Sequence, residues 1–308
     1  RYRVAMRTSS ASTTSFGRNP VRLSDLLSRG PVVLDGAMGT ELDSRGVDTL
    51  DPLWSALALT TAPEAVRQVH TDYLEAGARV ITTNTYQATL PALLRAGHDA
   101  YLAREIIAAG ARLAGEAARR FGAEHPEAQV LIAGGLGPYG AYLADGSEYT
   151  GLYDVGALDA SVFRDVHLPR VEVLAGEGID LFALETLPRL DEAQALVGAV
   201  EDLAAESECW VSFQVRPDGA HLADGTPLAE AAGRRSGDGR RGRRQLRGPR
   251  RRCPGAAGSA RGHYQTAGGL SELRRSLRPG DQDMEGRGRR GRARGPGALL
   301  GRLRGSTH

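Results

Sequence analysis

The residues of this 308-residue chain that could do chemistry fall where predicted strands end. The stretch 31–42 opens with the apolar run Val32 to Leu34, which is typical of a strand buried on both faces. Asp35 follows directly, and Gly36 lets a ligand approach the main chain closely. Loop amides and the Thr40 hydroxyl can bind a carboxylate. The stretch is therefore suited to bind an amino acid, although a tight turn with a capping Asp35 would have the same sequence.

Four further predicted strands also end in polar or glycine-rich sequence. They are Arg79–Thr83 before Asn84, Gln129–Ala133 before the glycine-rich run 134–137 that contains Gly135, Ile179–Leu184 before Glu185, and Trp210–Gln214. In a (β/α) barrel the active site is built from the loops at that end of the strands. A doubly wound sheet would also bind ligands there, but no Gly-x-Gly-x-x-Gly fingerprint follows the first strand.

Helical patterns separate these strands. The predicted helices are Leu23–Leu27, Pro63–Ala76 with Gly77 as its stop, Leu93–Phe121, Ala157–Gly176 and Asp191–Ala205 with Asp191 as its cap. Regular alternation of strand and helix predicts a parallel sheet with covered faces. We therefore expect an α/β fold with about five recognisable strand–helix units, arranged either as a barrel or as an open sheet. The histidines at 70, 98, 167 and 221 are expected at the surface, and Cys209 in the core.

Composition divides the chain into parts. Residues 1–20 are Ser/Thr/Arg-rich and are expected to be a disordered leader, with a transit peptide as the alternative. The small net charge of +2 hides an acidic part, 1–232, with 18 Arg against 32 acids, and a basic part, 233–308, with 21 Arg against 5 acids. The sequence contains no run of 18 apolar residues, so no membrane span is predicted. Two cysteines form no disulfide framework, which favours the cytoplasm.

Five motifs, in order, carry a resemblance to a known family. They are Leu-Asp-Gly-Ala-Met-Gly-Thr-Glu-Leu (34–42), Thr-Thr-Asn-Thr-Tyr-Gln-Ala (82–88), Gly-Gly-Leu-Gly-Pro-Tyr-Gly (134–140), Phe-Ala-Leu-Glu-Thr-Leu-Pro (182–188) and Asp-Gly-Thr-Pro-Leu (224–228). From about residue 21 to residue 232 the chain resembles the homocysteine S-methyltransferases. Within that family it is most similar to enzymes that use S-methylmethionine or S-adenosylmethionine as donor.

The resemblance implies a (β/α)₈ TIM barrel, of which about five units are recognisable in this chain. That barrel would bind homocysteine over a zinc ion and transfer a methyl group to it to give methionine. Zinc would remove the thiol proton, because the thiolate is the nucleophile. By the resemblance, Asp35 and Glu185 hold the homocysteine ammonium, and the amides from Gly36 to Thr40 take its carboxylate. Asn84 and the glycine loop that contains Gly135 shape the pocket floor. The implied partners are homocysteine and a sulfonium donor, with no membrane and no specific nucleic acid; the oligomeric state stays open.

The chain departs from the family after residue 232. The family's three zinc-binding cysteines belong to Gly-x-Asn-Cys and Gly-Gly-Cys-Cys motifs, and this sequence contains neither. Of the last 76 residues, 39 are Gly or Arg, so this segment is expected to be disordered. Codons exist for Asp238 to Arg247 whose regrouping by one base spells Thr-Val-Val-Ala-Val-Gly-Val-Asn-Cys. We therefore interpret 233–308 as out-of-frame translation, which leaves the enzyme impaired and its catalytic and metal residues unidentified in this chain.

Two alternatives from other classes stay open. A non-catalytic barrel could bind an amino acid without zinc. The basic segment 233–308 could instead bind nucleic acid non-specifically through phosphate, in a salt-sensitive manner. Tyr264 is the segment's only aromatic residue, so stacking on bases has no platform.

Overall fold

A four-stranded parallel sheet forms the centre of the protein. The computed structural model describes residues 21–49, 53–153 and 158–233, all within one compact unit. The predicted leader and nearly all of the predicted Arg/Gly segment lie outside the described residues. The strands are β1 (Val80–Thr82), β2 (Leu131–Leu136), β3 (Leu181–Leu187) and β4 (Glu208–Phe213), and they lie side by side in that order.

Helices connect each strand to the next and cover the sheet. In chain order they are α1 (Leu23–Leu27), α2 (Met38–Ser44), α3 (Ala58–Thr61), α4 (Pro63–Glu75), α5 (Leu90–Arg95), α6 (Ala100–Glu124), α7 (Tyr139–Leu143), α8 (Ala160–Gly176), α9 (Leu190–Leu203) and α10 (Leu228–Gly233). Short 3₁₀ turns occupy Trp54–Leu57 and Ser147–Tyr149. Within the described ranges, no helix is both long enough and apolar enough to cross a membrane.

The stretch before Asp35 extends the sheet beside β1. Leu34 forms a parallel bridge with Val80, and the Asp35 amide donates to the Val80 carbonyl at 2.9 Å. The expectation of burial on both faces is wrong, because Val33 is 58% exposed and Leu34 43% exposed. Among the described strands this stretch has a neighbour on one side only, and edge strands are more exposed than central ones.

A hydrophobic core lies on one face of the sheet, and α1 covers it at the amino ends of the strands. Side chains from β1, β2 and β3, among them Val80, Leu131 and Leu181, pack with Leu23 of α1. Glu208, at the start of β4, accepts hydrogen bonds from the Leu23 amide at 2.7 Å and the Ser24 amide at 3.3 Å. A carboxylate at a helix amino terminus satisfies amides that lack helical partners. Through this contact β4 holds α1 beneath the sheet.

Two predicted helices differ from the structure in a break or a cap. The predicted helix Leu93–Phe121 is interrupted, because Gly97 has φ +92° and Asp99 then caps a new helix through its side chain. Asp191 is not a cap, since it lies in the first turn of α9 and Arg189 occupies the cap position. The predicted stop of α4 at Gly77, with φ +107°, is confirmed.

The expectation of surface histidines is wrong at two positions. His70 on α4 and His167 on α8 are both 0% exposed, whereas His98 and His221 are half-buried. Cys209 is 2% exposed, as expected for a small core residue. A histidine on the buried stripe of a helix is indistinguishable from a surface one unless the whole stripe is known.

The buried His70 gives the fold a sensitivity to acid. Neither of its ring nitrogens has a hydrogen-bond partner within the described structure, and burial lowers its pKa to about 4. In the unfolded chain the pKa returns to about 6.5, so between these values the unfolded state binds a proton that the folded state does not. Stability is therefore lost as the pH falls from about 6.5 to about 4, by roughly 3 kcal/mol for this group.

His70→Leu is expected to remove that loss and to raise stability at neutral pH, because two unpaired buried nitrogens disappear. Urea unfolding of wild type and variant at pH 7.5 and pH 5 measures both effects. His98→Leu, at a half-buried position, serves as the control. An equal acid response in wild type and His70→Leu would contradict the prediction.

Candidate amino-acid-binding site

Asp35 is held at the carboxyl end of its stretch by the neighbouring strand. Its Oδ2 accepts a hydrogen bond from the Thr82 amide at 2.6 Å, and its Oδ1 accepts one from the Thr82 hydroxyl at 3.1 Å. Burial raises the pKa of Asp35 to about 7, opposed by the Thr82 amide and assisted by the negative charge of Glu185. The carboxyl is thus poised between neutral and charged forms near neutral pH, and a cation would favour the charged form.

Glu185 lies inside β3, which continues to Leu187 instead of ending at Leu184 as predicted, and the strand is irregular there. The register between β3 and β4 shifts between Leu184 and Leu187, and Thr186 has φ +58°, which a β-branched residue rarely adopts. Bulges and strained residues of this kind are enriched beside functional sites, where they re-aim side chains. Burial raises the pKa of Glu185 to about 7, although a hydrogen bond from the Trp210 side chain opposes that shift.

The loop after Asp35 passes directly into α2. A Cβ atom at Gly36 would lie 2.8 Å from the Tyr73 hydroxyl oxygen, so a side chain there would displace the Tyr73 ring. The same hydroxyl donates to the Ala37 carbonyl at 3.2 Å. Thr40 is exposed in the first turn of α2, where amides lack helical acceptors. This arrangement leaves main-chain donors and the Thr40 side chain on the solvent side of the loop.

Asn84 joins the exit of β1 to the 3₁₀ turn before α3. Its Nδ2 donates to the Ser55 carbonyl at 2.7 Å, and its Oδ1 accepts from the Ser55 hydroxyl at 2.8 Å. The residue is 3% exposed. These bonds fix the β1 exit in place, and the expected role of Asn84 in the pocket floor stays a prediction.

Gly135 lies inside β2, not in the loop after it as predicted, and packing between β1 and β2 requires a glycine there. A Cβ atom there would lie 2.9 Å from the Thr83 carbonyl oxygen. The Gly135 amide donates to the Thr83 hydroxyl at 2.9 Å, and its carbonyl accepts from the Thr85 hydroxyl at 2.8 Å. The exits of β1 and β2 are thereby held together, which indirectly positions whatever the two loops bind.

Arg170 of α8 ties the same two exits together from behind. It is 0% exposed, and its guanidinium donates to the carbonyls of Thr85, Tyr86 and Gly137, with distances of 2.9 Å to the first and the last. Burial lowers the pKa of Arg170 to about 10, which still leaves it charged at neutral pH. One buried cation therefore bridges the β1 exit and the β2 exit.

Contacts of Arg170 determine the tautomer of His167. Arg170 Nη2 lies 3.0 Å from His167 Nδ1, and a guanidinium can only donate, so Nδ1 is the acceptor. The proton of the neutral imidazole is then on Nε2, which donates to Glu192 Oε1 at 2.9 Å. Glu192 also accepts from the Tyr153 hydroxyl at 2.6 Å and from the Tyr139 amide. Its negative charge balances that of Arg170 inside the core.

The described residues do not fit a zinc site at the strand exits. Cys209 is the only cysteine among them, and it is buried at the amino end of β4, opposite the end that carries Glu185. A structural or catalytic zinc site needs three or four ligands of cysteine, histidine or carboxylate type. One cluster with ligand-like spacing, Glu75, Glu124 and His125, lies at the ends of α4 and α6 that precede the strands. It is remote from the site.

Fold and site together define a class, a parallel (β/α) protein with two carboxyl groups, Asp35 and Glu185, near the carboxyl ends of its strands. A family model described as homocysteine S-methyltransferase matches residues 32–238. The homocysteine S-methyltransferase of Escherichia coli (strain K12) is 45% identical over 216 residues, 69% of this chain and 67% of that protein. Homocysteine S-methyltransferase 3 of Zea mays is 43% identical over 66% of this chain and 61% of its own length.

The chain belongs to the homocysteine S-methyltransferase family, as the sequence motifs predicted. The crystal structure of the homocysteine methyltransferase MmuM from Escherichia coli, in its metallated form, superposes with a TM-score of 0.65 at 43% identity. It covers 70% of this chain and 73% of that one. The predicted α/β fold with a parallel sheet is thereby confirmed. The chain spans about 61 to 67% of the length of these curated relatives.

Sequence analysis missed the residues that orient the two carboxyl groups. Thr82 anchors Asp35, and Trp210 donates to Glu185. The sequence did not predict a buried role for Arg170, because a single arginine on a helix is usually solvent-exposed. The available signal was its neighbour three residues earlier, His167, since two polar residues of one helix face on a buried stripe indicate an internal polar network.

Proposed function

We propose that this chain is a homocysteine S-methyltransferase by descent whose described residues bind the amino-acid end of homocysteine. The reaction of its family transfers a methyl group from a sulfonium donor, S-methylmethionine or S-adenosylmethionine, to the homocysteine sulfur and yields methionine. Since the described residues do not fit the family's zinc, turnover by this chain is impaired while its amino-acid-binding end is retained. The cytoplasm stays its predicted location.

The pair of carboxyl groups carries the proposal. Asp35 and Glu185 come from strand ends 150 residues apart in sequence, yet the charge of one raises the pKa of the other. Two half-buried carboxyl groups that repel each other at a strand exit are stabilised by a shared cation. The α-ammonium of homocysteine provides that cation. The amides that follow Gly36 and the Thr40 hydroxyl then meet the α-carboxylate of the same ligand, and the exits fixed by Asn84 and Gly135 limit the pocket.

Calorimetry of homocysteine binding to the full chain tests the proposal. Asp35→Asn and Glu185→Gln are each expected to weaken binding about tenfold or more, because a charge-assisted hydrogen bond to the ammonium is lost. Glu201→Gln, an exposed site on α9, is the matched control and is expected to bind like wild type. Wild-type affinity in both carboxyl variants would exclude this site.

Homocysteine affinity is expected to depend on pH. In the free protein both carboxyl groups have pKa values near 7, so below that value a proton must leave before the ammonium binds. Affinity therefore rises as the pH increases from 6 to 8, by up to about tenfold per pH unit for each proton released. Titrations in two buffers of different ionisation enthalpy count the protons. A pH-independent affinity without proton release would contradict this assignment.

The basic segment 233–308 supports one other candidate, non-specific nucleic-acid binding. Its charge of +16 predicts an affinity for random duplex that falls steeply with added salt. Deletion of 233–308 would abolish that binding but leave homocysteine binding intact. The two functions are therefore separable in one set of measurements.

A further inference from the structure

A cavity of about 420 Å³ lies between the loop after β2 and the loop after β4. Tyr149 and Leu152 line it from the first loop, and Gln214, Val215 and Arg216 line it from the second. Its volume is in the range of small-molecule sites. It is separate from the turn that carries Gly36 and Thr40, so it offers room for a second ligand.

The walls of this cavity are unusually apolar for a surface. Tyr149 is 57% exposed, Leu152 75% and Val215 38%, and all three line the same space. Single exposed apolar residues need no explanation, but several around one concave site indicate a ligand with an apolar portion. The methylene chain of an amino acid has this character.

Arg216 supplies a cation at the rim of the cavity. Its Nε donates to the Ala223 carbonyl at 3.1 Å, which fixes the guanidinium plane. Gly225, with φ +97°, lies under the guanidinium, since a Cβ atom there would be 3.0 Å from Arg216 Nη2. The positive φ favours glycine at 225, and the guanidinium packs against it. The Nη groups are left to receive an anion.

Acids near Arg216 in sequence are engaged elsewhere. Asp218 accepts from the His221 ring and from two amides, and Asp224 accepts from the Thr226 amide and hydroxyl. Within the described ranges no carboxylate forms an ion pair with Arg216. A guanidinium with two open donors is suited to a bidentate carboxylate.

Hydrogen bonds connect the cavity to the strand that carries Glu185. The Gln214 amide donates to the Leu187 carbonyl at 3.0 Å, and the Asp224 amide donates to the Pro188 carbonyl at 3.1 Å. Arg189 Nη1 reaches the Gly151 carbonyl at 3.3 Å. The cavity and Glu185 therefore belong to the same end of the sheet, and the contacted residues follow Glu185 by two to four positions in the chain.

We propose that this cavity binds the amino-acid end of the sulfonium methyl donor and that Arg216 binds its α-carboxylate. The inference rests on the proposed function, because it assumes that homocysteine occupies the Asp35–Glu185 site. S-Methylmethionine and S-adenosylmethionine share an α-carboxylate on a short aliphatic chain. That chain lies against Tyr149 and Leu152, and the carboxylate pairs with the guanidinium.

Equilibrium binding to the full chain, with homocysteine present at saturation, tests the proposal. The probes are S-methylmethionine, its carboxamide analogue and S-adenosylmethionine. Wild type is expected to bind S-methylmethionine about tenfold or more tightly than the carboxamide, since one charged hydrogen-bonded contact is worth about a factor of ten. Arg216→Met is expected to abolish this preference, and Arg216→Lys to retain part of it. S-Adenosylmethionine is expected to lose affinity in parallel.

Homocysteine affinity, measured separately, distinguishes the two proposals. It is expected to be unchanged in Arg216→Met and in Arg119→Met, an exposed control on α6. If Arg216→Met keeps the carboxylate preference, or weakens homocysteine binding by the same factor, the cavity does not bind the donor carboxylate. Homocysteine binding without any sulfonium binding also overturns this inference but leaves the proposed function standing. If wild type binds neither homocysteine nor a sulfonium donor, the proposed function itself is overturned.

Discussion

Shifting the reading frame of the gene by one base after codon 232 is expected to produce a different chain, one that binds about one zinc ion and forms methionine from homocysteine. The present chain is expected to do neither. Its only cysteine among the described residues, Cys209, is buried at the wrong end of β4. The alternative frame of 238–247 permits a strand that ends in Gly-x-Asn-Cys at the same end as Asp35 and Glu185.

Physical chemistry makes this effect large. A homocysteine thiol with a pKa near ~8.5 is mostly protonated at neutral pH, and a metal-bound thiol is deprotonated outright. Without cysteine ligands a (β/α) chain can still hold the amino-acid end of homocysteine, but it does not activate the sulfur. The difference between the two chains is therefore expected in turnover and in metal content, with homocysteine binding present in both.

Metal analysis of both purified chains, with a methionine-formation assay, checks the prediction. The nucleotide sequence across codons 225 to 250, translated in all three frames, comes first and costs least. Stop codons or strand-incompatible sequence in the alternative frame would contradict out-of-frame translation. A full zinc complement and methionine formation by the present chain would contradict the expected impairment.

Strand exits were predictable from sequence because their signals are local. Asp35, Asn84 and Glu185 each follow a short apolar run, and parallel strands bring such ends to one edge. Helix α6 was predicted as part of a single long helix because Gly97 and Asp99 are short signals inside an alanine-rich pattern. The prediction that 32–34 is buried on both faces was wrong, because burial of a strand depends on which strands lie beside it.

Side-chain partners across long sequence separations could not be predicted. Glu208 caps α1 over a separation of 185 residues, and Arg170 contacts the Thr85 carbonyl across 85 residues. Neither pair leaves a pattern in one sequence. The raised pKa values of Asp35 and Glu185 likewise depend on enclosure by strands that are far apart in the chain.

Arg170→Met is expected to destabilise the fold by about 3–5 kcal/mol, because each buried acceptor left without its donor costs about 1–3 kcal/mol. Three carbonyl oxygens, of Thr85, Tyr86 and Gly137, lose their donor, and the Glu192 carboxylate loses its balancing charge. Urea unfolding at pH 7.5 measures the change. Arg104→Met removes an exposed ion pair with Glu172 and is expected to cost about 1 kcal/mol or less.

The charge of Arg170 and the planar geometry of its guanidinium contribute separately to stability, and two further variants distinguish the two contributions. Arg170→Lys keeps a positive charge, but one ammonium on a flexible stem does not reproduce a planar fork aimed at carbonyls of two different loops. Its stability is expected between those of wild type and Arg170→Met. Glu192→Gln in the Arg170→Met background removes the unbalanced charge, so it is expected to recover part of the loss rather than add to it. Two results would show that the buried guanidinium does not hold the β1 and β2 exits together. One is additive losses of stability in the double variant. The other is an Arg170→Met protein whose stability is within about 1 kcal/mol of wild type.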